Sequence, residues 1–359
     1  MKIYKTLDIY ITQKFLGTFF YTIALILSIA IVFDMAENLD EFISKDIPAK
    51  VIILEYYLNF IPYFANLFSP LFTFIAVIYF TSKMAYNTEI IAILSSGVSY
   101  PRLMRPYLVS ALILAGFSFA LGNYIIPPAN RTLNNFRNKY IDNNRVVVER
   151  DIHRQIEPGV YIYMQSFNAN NVGYRFTLEK FDGAILKEKI SADNIRWDED
   201  TEKWVINNYV IRYIHEDGES FEKGYRMDTT LNMTPNDYKV MKNQMETYTT
   251  PALKQEIKQM RMRGVNTIEW EIENHKRVAG PFSAFILTII GAGLASRKIK
   301  GGLGLHLGLG LLLAFSYILF MQVSTVFAIS GNTPPILAVW IPNLFYSLIA
   351  FFVFRWAAR

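Results

Sequence analysis

Few residues in this chain have types and spacings that could do chemistry, and those few do not converge. Its four histidines, His153, His215, His275 and His306, are scattered, with no HExxH pair or metal-ligand spacing between them. There is no cysteine, so no disulfide framework, thiol metal site or lipid-attachment thiol exists. Asp198, Glu199 and Asp200 cluster three carboxylates, but they fall between two predicted strands and read as a solvated turn. The run "GGLGLHLGLG" at 301–310 lacks the GK[ST] ending of a phosphate loop and heads an apolar stretch. Within it Gly304 and Gly308 form a GxxxG, which allows close helix approach in a membrane, either inside this chain or against a partner. Asn59, Asn66 and Asn343 lie inside apolar blocks but stand alone, whereas intramembrane catalysis needs paired polar groups. The expectation is a protein that is not an enzyme, has no cofactor or metal, and does not bind nucleic acid. No nucleotide-hydrolysing motif is present either, so energy-driven work requires another chain to supply the energy.

A different segment invites attention: "AYNTEIIAILSSGVSYPRLMR", residues 85–105. One carboxylate, Glu89, opens a short apolar run, and Arg102 and Arg105 close the segment. It is a compact half-apolar helix placed between two long greasy stretches.

Those stretches set the architecture. The chain of 359 residues is 52% hydrophobic and only 19% charged, and its apolar residues come in blocks. A bilayer span takes roughly 20 mostly apolar residues. Six blocks qualify: 15–33, 61–82, 103–126, 279–295, 303–327 and 336–354. Residues 51–60 cannot be added to the second span without overshooting the hydrocarbon core, and they predict an interfacial helix leading into it. Pro62 and Pro70 predict a break or kink there. The first block is longer than a signal-peptide core and lacks a small-x-small cleavage site, so it reads as an uncleaved anchor.

Charge placement orients the spans. Lys2, Lys5 and Lys14 precede the first, and Lys83, Arg102 and Arg105 lie between the second and third. Arg297, Lys298 and Lys300 lie between the fourth and fifth, and Arg355 and Arg359 follow the sixth. The opposite loops carry Asp34, Glu37, Asp40 and Glu41, or the neutral "AISGNTPP". Cationic loops stay cytoplasmic, so both termini are expected inside and residues 128–275 outside.

Residues 159–233 alternate apolar and polar positions in five runs: "GVYIYMQSF", "GYRFTLEKF", "ILKEKISA", "KWVINNYVIRYI" and "YRMDTTLNM". Asn170-Asn171, Asp182-Gly183, "DEDTE" and Asp217-Gly218 separate them. The pattern predicts an antiparallel β domain, a sandwich or curled jelly roll. Tyr161, Tyr163, Tyr174, Phe176, Trp204 and Tyr213 supply an apolar face, as a filled core or as an open groove for lipid chains. Thr250 and Pro251 predict the start of a helix by N-cap and first-turn proline, with Gly264 ending it. A second amphipathic helix, "IEWEIENHKRV", feeds the fourth span.

Over essentially its whole length the chain resembles the LptF/LptG permeases, the membrane subunits of the lipopolysaccharide export ABC transporter. The strongest segments are "LDIYITQKFLGTFF", the Pro62-to-Pro70 spacing in "IPYFANLFSPLF", "NTEIIAILSSG" at 87–97, and "HKRVAGPFSAFILTIIGAGLA" at 275–295. The resemblance implies an α-helical membrane protein with three spans in residues 1–127, a periplasmic β-jelly-roll domain in 128–275, and three more spans in 276–359. It implies a multi-pass protein of the cell inner membrane that pairs with a second LptF/LptG-type permease around a cavity. A cytoplasmic ATPase dimer docks beneath the pair. Lipopolysaccharide extracted from the membrane passes through the β domains to bridge proteins of the LptC/LptA type toward the outer membrane. By the same resemblance, residues 86–97 are the coupling helix. Glu89 would pair with a cation of the ATPase, Ile90, Ile91, Ile93 and Leu94 would bury against it, and Gly97 ends the helix. An amphipathic helix resting on the membrane surface is the alternative. Arg137 matches an arginine near the outer mouth of the cavity, with Arg131 and Lys139 close by, cations suited to lipid phosphates. One position departs: where the G-like form has a substrate-facing lysine, this chain has Asp34, either a solvated carboxylate or, with Glu37, a holder for a bridging divalent cation. The competing overall reading is a membrane-anchored periplasmic scaffold or sensor whose β domain binds a partner. An anchor of that kind has no use for a docking helix between its second and third spans.

Overall fold

Inside hydrocarbon a backbone has no water to bond, so long apolar blocks must close their hydrogen bonds as helices. The computed structural model describes residues 6–141, 150–168, 170–215, 217–235, 238, 244–262, 265–297 and 302–358. Lys2, Lys5, Gly264, Lys298, Lys300, Arg359 and the side chain of His306 lie outside the described residues. Helix α1 spans Thr6–Ser44. The short α2 (Ala49–Val51), a π-helical segment (Ile52–Tyr57) and α3 (Leu58–Tyr86) run on as one 38-residue helix. After α4 (Glu89–Ser95) come α5 (Tyr100–Ala120), a π-helical segment (Leu121–Ile125) and α6 (Ile126–Phe136), again without a break. The second half contributes α7 (Thr250–Met262), α8 (Ile268–Ala279), α9 (Phe282–Ala295), α10 (Gly302–Ile329) and α11 (Pro335–Ala357).

Five of the described helical runs are long and apolar enough to cross a membrane, or six if α8 and α9, bent by 51°, form one span. The bent pair has a simple cause. The 14 residues of α9 alone rise only about 21 Å, short of a hydrocarbon core of roughly 30 Å. The separate interfacial helix expected at 51–60 is corrected: those residues are the continuous beginning of the second long helix. Pro62 and Pro70 sit inside α3 without ending it, because a broken backbone among apolar neighbours costs more than two missing donors.

Residues 6–141, 245–254 and 268–358 cluster into one helical unit. The buried positions of α1 recur every three or four residues: Asp8, Ile11, Phe15, Phe19, Ile23 and Leu27. This stripe packs on α3 and α5, where the Phe15, Phe80 and Tyr107 rings stack in series at 5.4 and 5.2 Å. A second apolar cluster joins α3 to α9, α10 and α11. Two of the isolated asparagines join helices, Asn66 accepting from Ser118 and Asn343 bonding Tyr317 and the Ala279 carbonyl, while Asn59 donates to the Leu54 and Glu55 carbonyls of its own helix. Among the described residues, no atom lies within 4 Å of where the Cβ of Gly304 or Gly308 would stand. The close contact falls to Gly310, whose Cβ would come within 2.3 Å of the Ile78 side chain.

The second unit holds a six-stranded antiparallel sheet inserted in the middle of the chain. Its strands are β1 (Arg150–Glu157), β2 (Val160–Phe167), β3 (Val172–Asp182), β4 (Ile185–Asp198), β5 (Lys203–His215) and β6 (Gly218–Thr229). They follow one another in simple meander order, each paired with its sequence neighbour. Strand β1 escapes the sequence pattern because only Ile152 and Ile156 among its eight residues are apolar. The expected aromatic face also splits. On β2 it is Ile162 and Met164 that point inward, leaving Tyr161 exposed and Tyr163 at Asp151, and Tyr174 is likewise exposed. Strand period is two, so reading the wrong alternate residues inverts the face. Phe176 and Trp204 are in the core as expected, and the Trp204 indole donates to the Met233 carbonyl. A cavity of about 230 Å³ opens along this face between Ile156, Val160, Leu178, Ile190, Met227 and Leu231.

Candidate functional site

The loop after α3 reverses the chain within three residues. Asn87 caps α3, and Thr88 takes a left-handed φ of 60°, an uncommon conformation for a β-branched residue. Helix α4 then starts at Glu89 and ends at Ser95, with Gly97 at φ 89° donating back to the Leu94 carbonyl. The four apolar residues expected to form one docking face separate into two roles. Ile90 is 1% exposed and belongs to the chain's own core, with Ile93 half-buried against it. Ile91 and Leu94 are exposed at 51% and 36%, and Tyr86 beside them at 64%. So α4 is anchored by Ile90 and presents Tyr86, Ile91 and Leu94 outward.

Glu89 already has partners. The Tyr10 hydroxyl donates to its carboxylate at 2.7 Å, and the Lys14 ammonium lies 3.4 Å away over the Tyr10 ring. Partial burial alone would raise this carboxyl, but Tyr10, Lys14 and Asn87 outweigh it and hold it below the usual carboxylate range. At neutral pH Glu89 is therefore an anion, balanced by one half-exposed lysine.

At the far end of α1 three residues form a relay. The Tyr56 hydroxyl donates to Asp34 Oδ1 at 3.1 Å and accepts from Arg137 Nη2 at 3.2 Å, with the guanidinium 5.5 Å from the Tyr56 ring centre. Asp34 thus stands inside α1 rather than in a loop, with Oδ1 on the phenol that also meets Arg137. An apolar cluster of Phe42, Ile52, Tyr57, Phe60, Leu133 and Phe136 backs the relay. Arg131 is exposed. Lys139 lies over the Tyr140 ring at 4.8 Å, and Lys45 donates to the Tyr140 carbonyl. The structure thus joins Asp34 with Arg137, and leaves Arg131 and Lys139 outside that relay.

A second polar cluster sits beside the last two turns of α8. Arg277, almost fully buried, uses every nitrogen: on Glu273, on the Met245 and Tyr248 carbonyls, and on Thr250. Thr250 does not cap its helix as expected. It is the first residue of α7, with Pro251 in the first turn as expected, and its hydroxyl donates to Asn123 at 2.6 Å. Glu246 accepts from Asn130 and borders a cavity of about 230 Å³ with Tyr63, Asn66, Ser118, Glu273 and Lys276. Burial, and then repulsion from Glu273, push the Glu246 carboxyl up to about 7. Among the described residues no three His, Asp or Glu side chains gather to hold a metal.

Sequence reasoning missed Asp8, Tyr10, Arg102, Tyr56 and Glu246. One signal was available: Asp8 lies on the same face as Ile11, Phe15 and Phe19, and a charge in register with a buried stripe needs a buried partner. Arg102 supplies it, 94 residues away.

No curated protein sequence matches the chain. A family profile described as lipopolysaccharide export system permease LptF/LptG matches residues 9–356. That match takes in both helical halves and the inserted sheet, and the chain therefore belongs to the LptF/LptG family of lipopolysaccharide export permeases.

Proposed function

We propose that this chain is one of two permease subunits of an ABC transporter that withdraws lipopolysaccharide from the inner membrane and delivers it, through its β unit, to a bridge toward the outer membrane. A separate cytoplasmic ATPase dimer powers it. The observation that carries this reading is the loop at 87–97: a short, sharply set helix between two spans, anchored by Ile90 and offering Ile91, Leu94 and an ionised Glu89.

The charge pattern supports the orientation. Lys14, Lys83, Arg102, Arg105, Arg297 and Arg355 belong to the α4 end of the helices, while Asp34, Glu37, Asp40 and Glu41 belong to the other. With cations inside, α4 faces the cytoplasm and the sheet faces the periplasm. At the outer end, Arg137 is the cation for a lipid phosphate, aimed by Asp34 through Tyr56. The cavity along the sheet, apolar on one side and bordered by Glu157, Lys180, Thr229 and Thr230 on the other, is the place in this unit for an amphipathic lipid crossing an aqueous space. Gly304 and Gly308, open on this chain, offer a small-residue face for the second permease.

The test is Glu89→Ala and Glu89→Lys in the assembled complex. Both variants are expected to insert normally, and to retain ATP hydrolysis while losing most lipopolysaccharide export. Undiminished export by both would defeat the assignment.

A further inference from the structure

Helix α1 grips both ends of the loop that α4 belongs to. Asp8, 4% exposed, receives two parallel bonds from Arg102, Nη1 to Oδ1 at 2.6 Å and Nη2 to Oδ2 at 2.7 Å. Arg102 is in the first turn of α5, just after α4. Two turns along α1, Tyr10 and Lys14 hold Glu89, the first residue of α4. One contact is therefore made at the first residue of α4 and the other follows the helix, and both lead to α1.

The two contacts differ in kind. The Lys14–Glu89 pair is long at 3.4 Å and about a third exposed, so a competing cation can replace it at little cost. The Asp8–Arg102 fork is short and two-pronged, with Asp8 buried and Arg102 partly exposed, and losing Arg102 strands a buried carboxylate. When Glu89 is engaged from outside, Asp8–Arg102 still ties α1 to the start of α5, beside the packing of Ile90 on the α1 stripe. Helix α1 then continues unbroken for 20 more residues past Lys14, about 30 Å, to Asp34 and its relay to Arg137.

We propose that the force-receiving element is α4 with the first turn of α5 and the first two turns of α1, held together by Asp8 and Arg102 as positioning residues, so that a displacement of α4 moves the whole first helix. This rests on the reading of α4 as the ATPase dock.

The test uses the reconstituted transporter and reads ATP hydrolysed per lipopolysaccharide exported. Asp8→Arg and Arg102→Asp singly should each raise that ratio about tenfold or more with hydrolysis continuing, and the double exchange should bring it back toward wild type. Because a reversed buried charge can prevent folding, a second measurement stands beside it. The chain has no cysteine, so spin labels at Gln13→Cys and Ser95→Cys, both exposed, report the α1–α4 distance without background. That distance should stay constant within about 2 Å across the nucleotide cycle, and a change approaching one helical turn, about 5 Å, would overturn the proposal. Unchanged ratios in folded single variants would overturn it as well, leaving the docking role of α4 standing. A wild-type chain that never engages an ATPase would remove both.

Discussion

The Glu246 carboxyl carries a proton to about pH 7 in the folded chain, against a usual value of 4.5. Between those values the native state binds more protons than the unfolded one, so stability falls as pH rises through that window and stays low above it. The full loss is roughly 3 kcal/mol for a shift of this size. Glu246→Gln should flatten the thermal-unfolding midpoint of the detergent-purified protein between pH 5 and pH 8 and raise it at pH 8. An unchanged pH slope in that variant would mean that another group titrates. Individual side chains such as this one were the least legible part of the sequence. Glu246 lies in no recognisable motif, and its pKa depends on Glu273, 27 positions away. Asp34 was visible as an acid at a position where the family has a lysine, but its role needed Tyr56, which comes from a helix that the sequence divides incorrectly. Glu89 was legible because its neighbours in sequence are also its neighbours in space.

At the level of elements, hydropathy located every long helix, since the bilayer requires the same period from all of them. It failed at helix ends: α1 runs from Thr6 to Ser44, well beyond the apolar 15–33, because polar residues continue a helix once it leaves hydrocarbon. It also failed at β1, whose charged side chains hide the strand. The glycines of α10 give a sharp test of which faces are occupied. Gly310→Leu collides with Ile78 and should lower the thermal midpoint markedly. Gly304→Leu and Gly308→Leu meet open space and should leave the isolated chain as stable as wild type, yet weaken pairing with a second permease in size-exclusion chromatography. Equal destabilisation by all three would contradict that division.

For the molecule as a whole, the sequence carried the division into two helical halves and an inserted sheet, because that division is written in composition. It could not carry the link between α4 and α1, which is made by residues 75 and 94 positions apart. Both ends of α1 are tied, to Glu89 and Arg102 at one end and to Tyr56 at the other, and a long helix fixed at both ends is a means of passing motion across a membrane. The account as a whole stands on cargo movement powered by a separate ATPase. The most direct measurement reconstitutes this chain with a second permease, the ATPase and lipopolysaccharide in vesicles, and follows transfer of lipopolysaccharide to an added bridge protein. Transfer should require ATP and stop when the ATPase is omitted. Transfer at the same rate without ATP, or none from a complex that hydrolyses ATP normally, would contradict it.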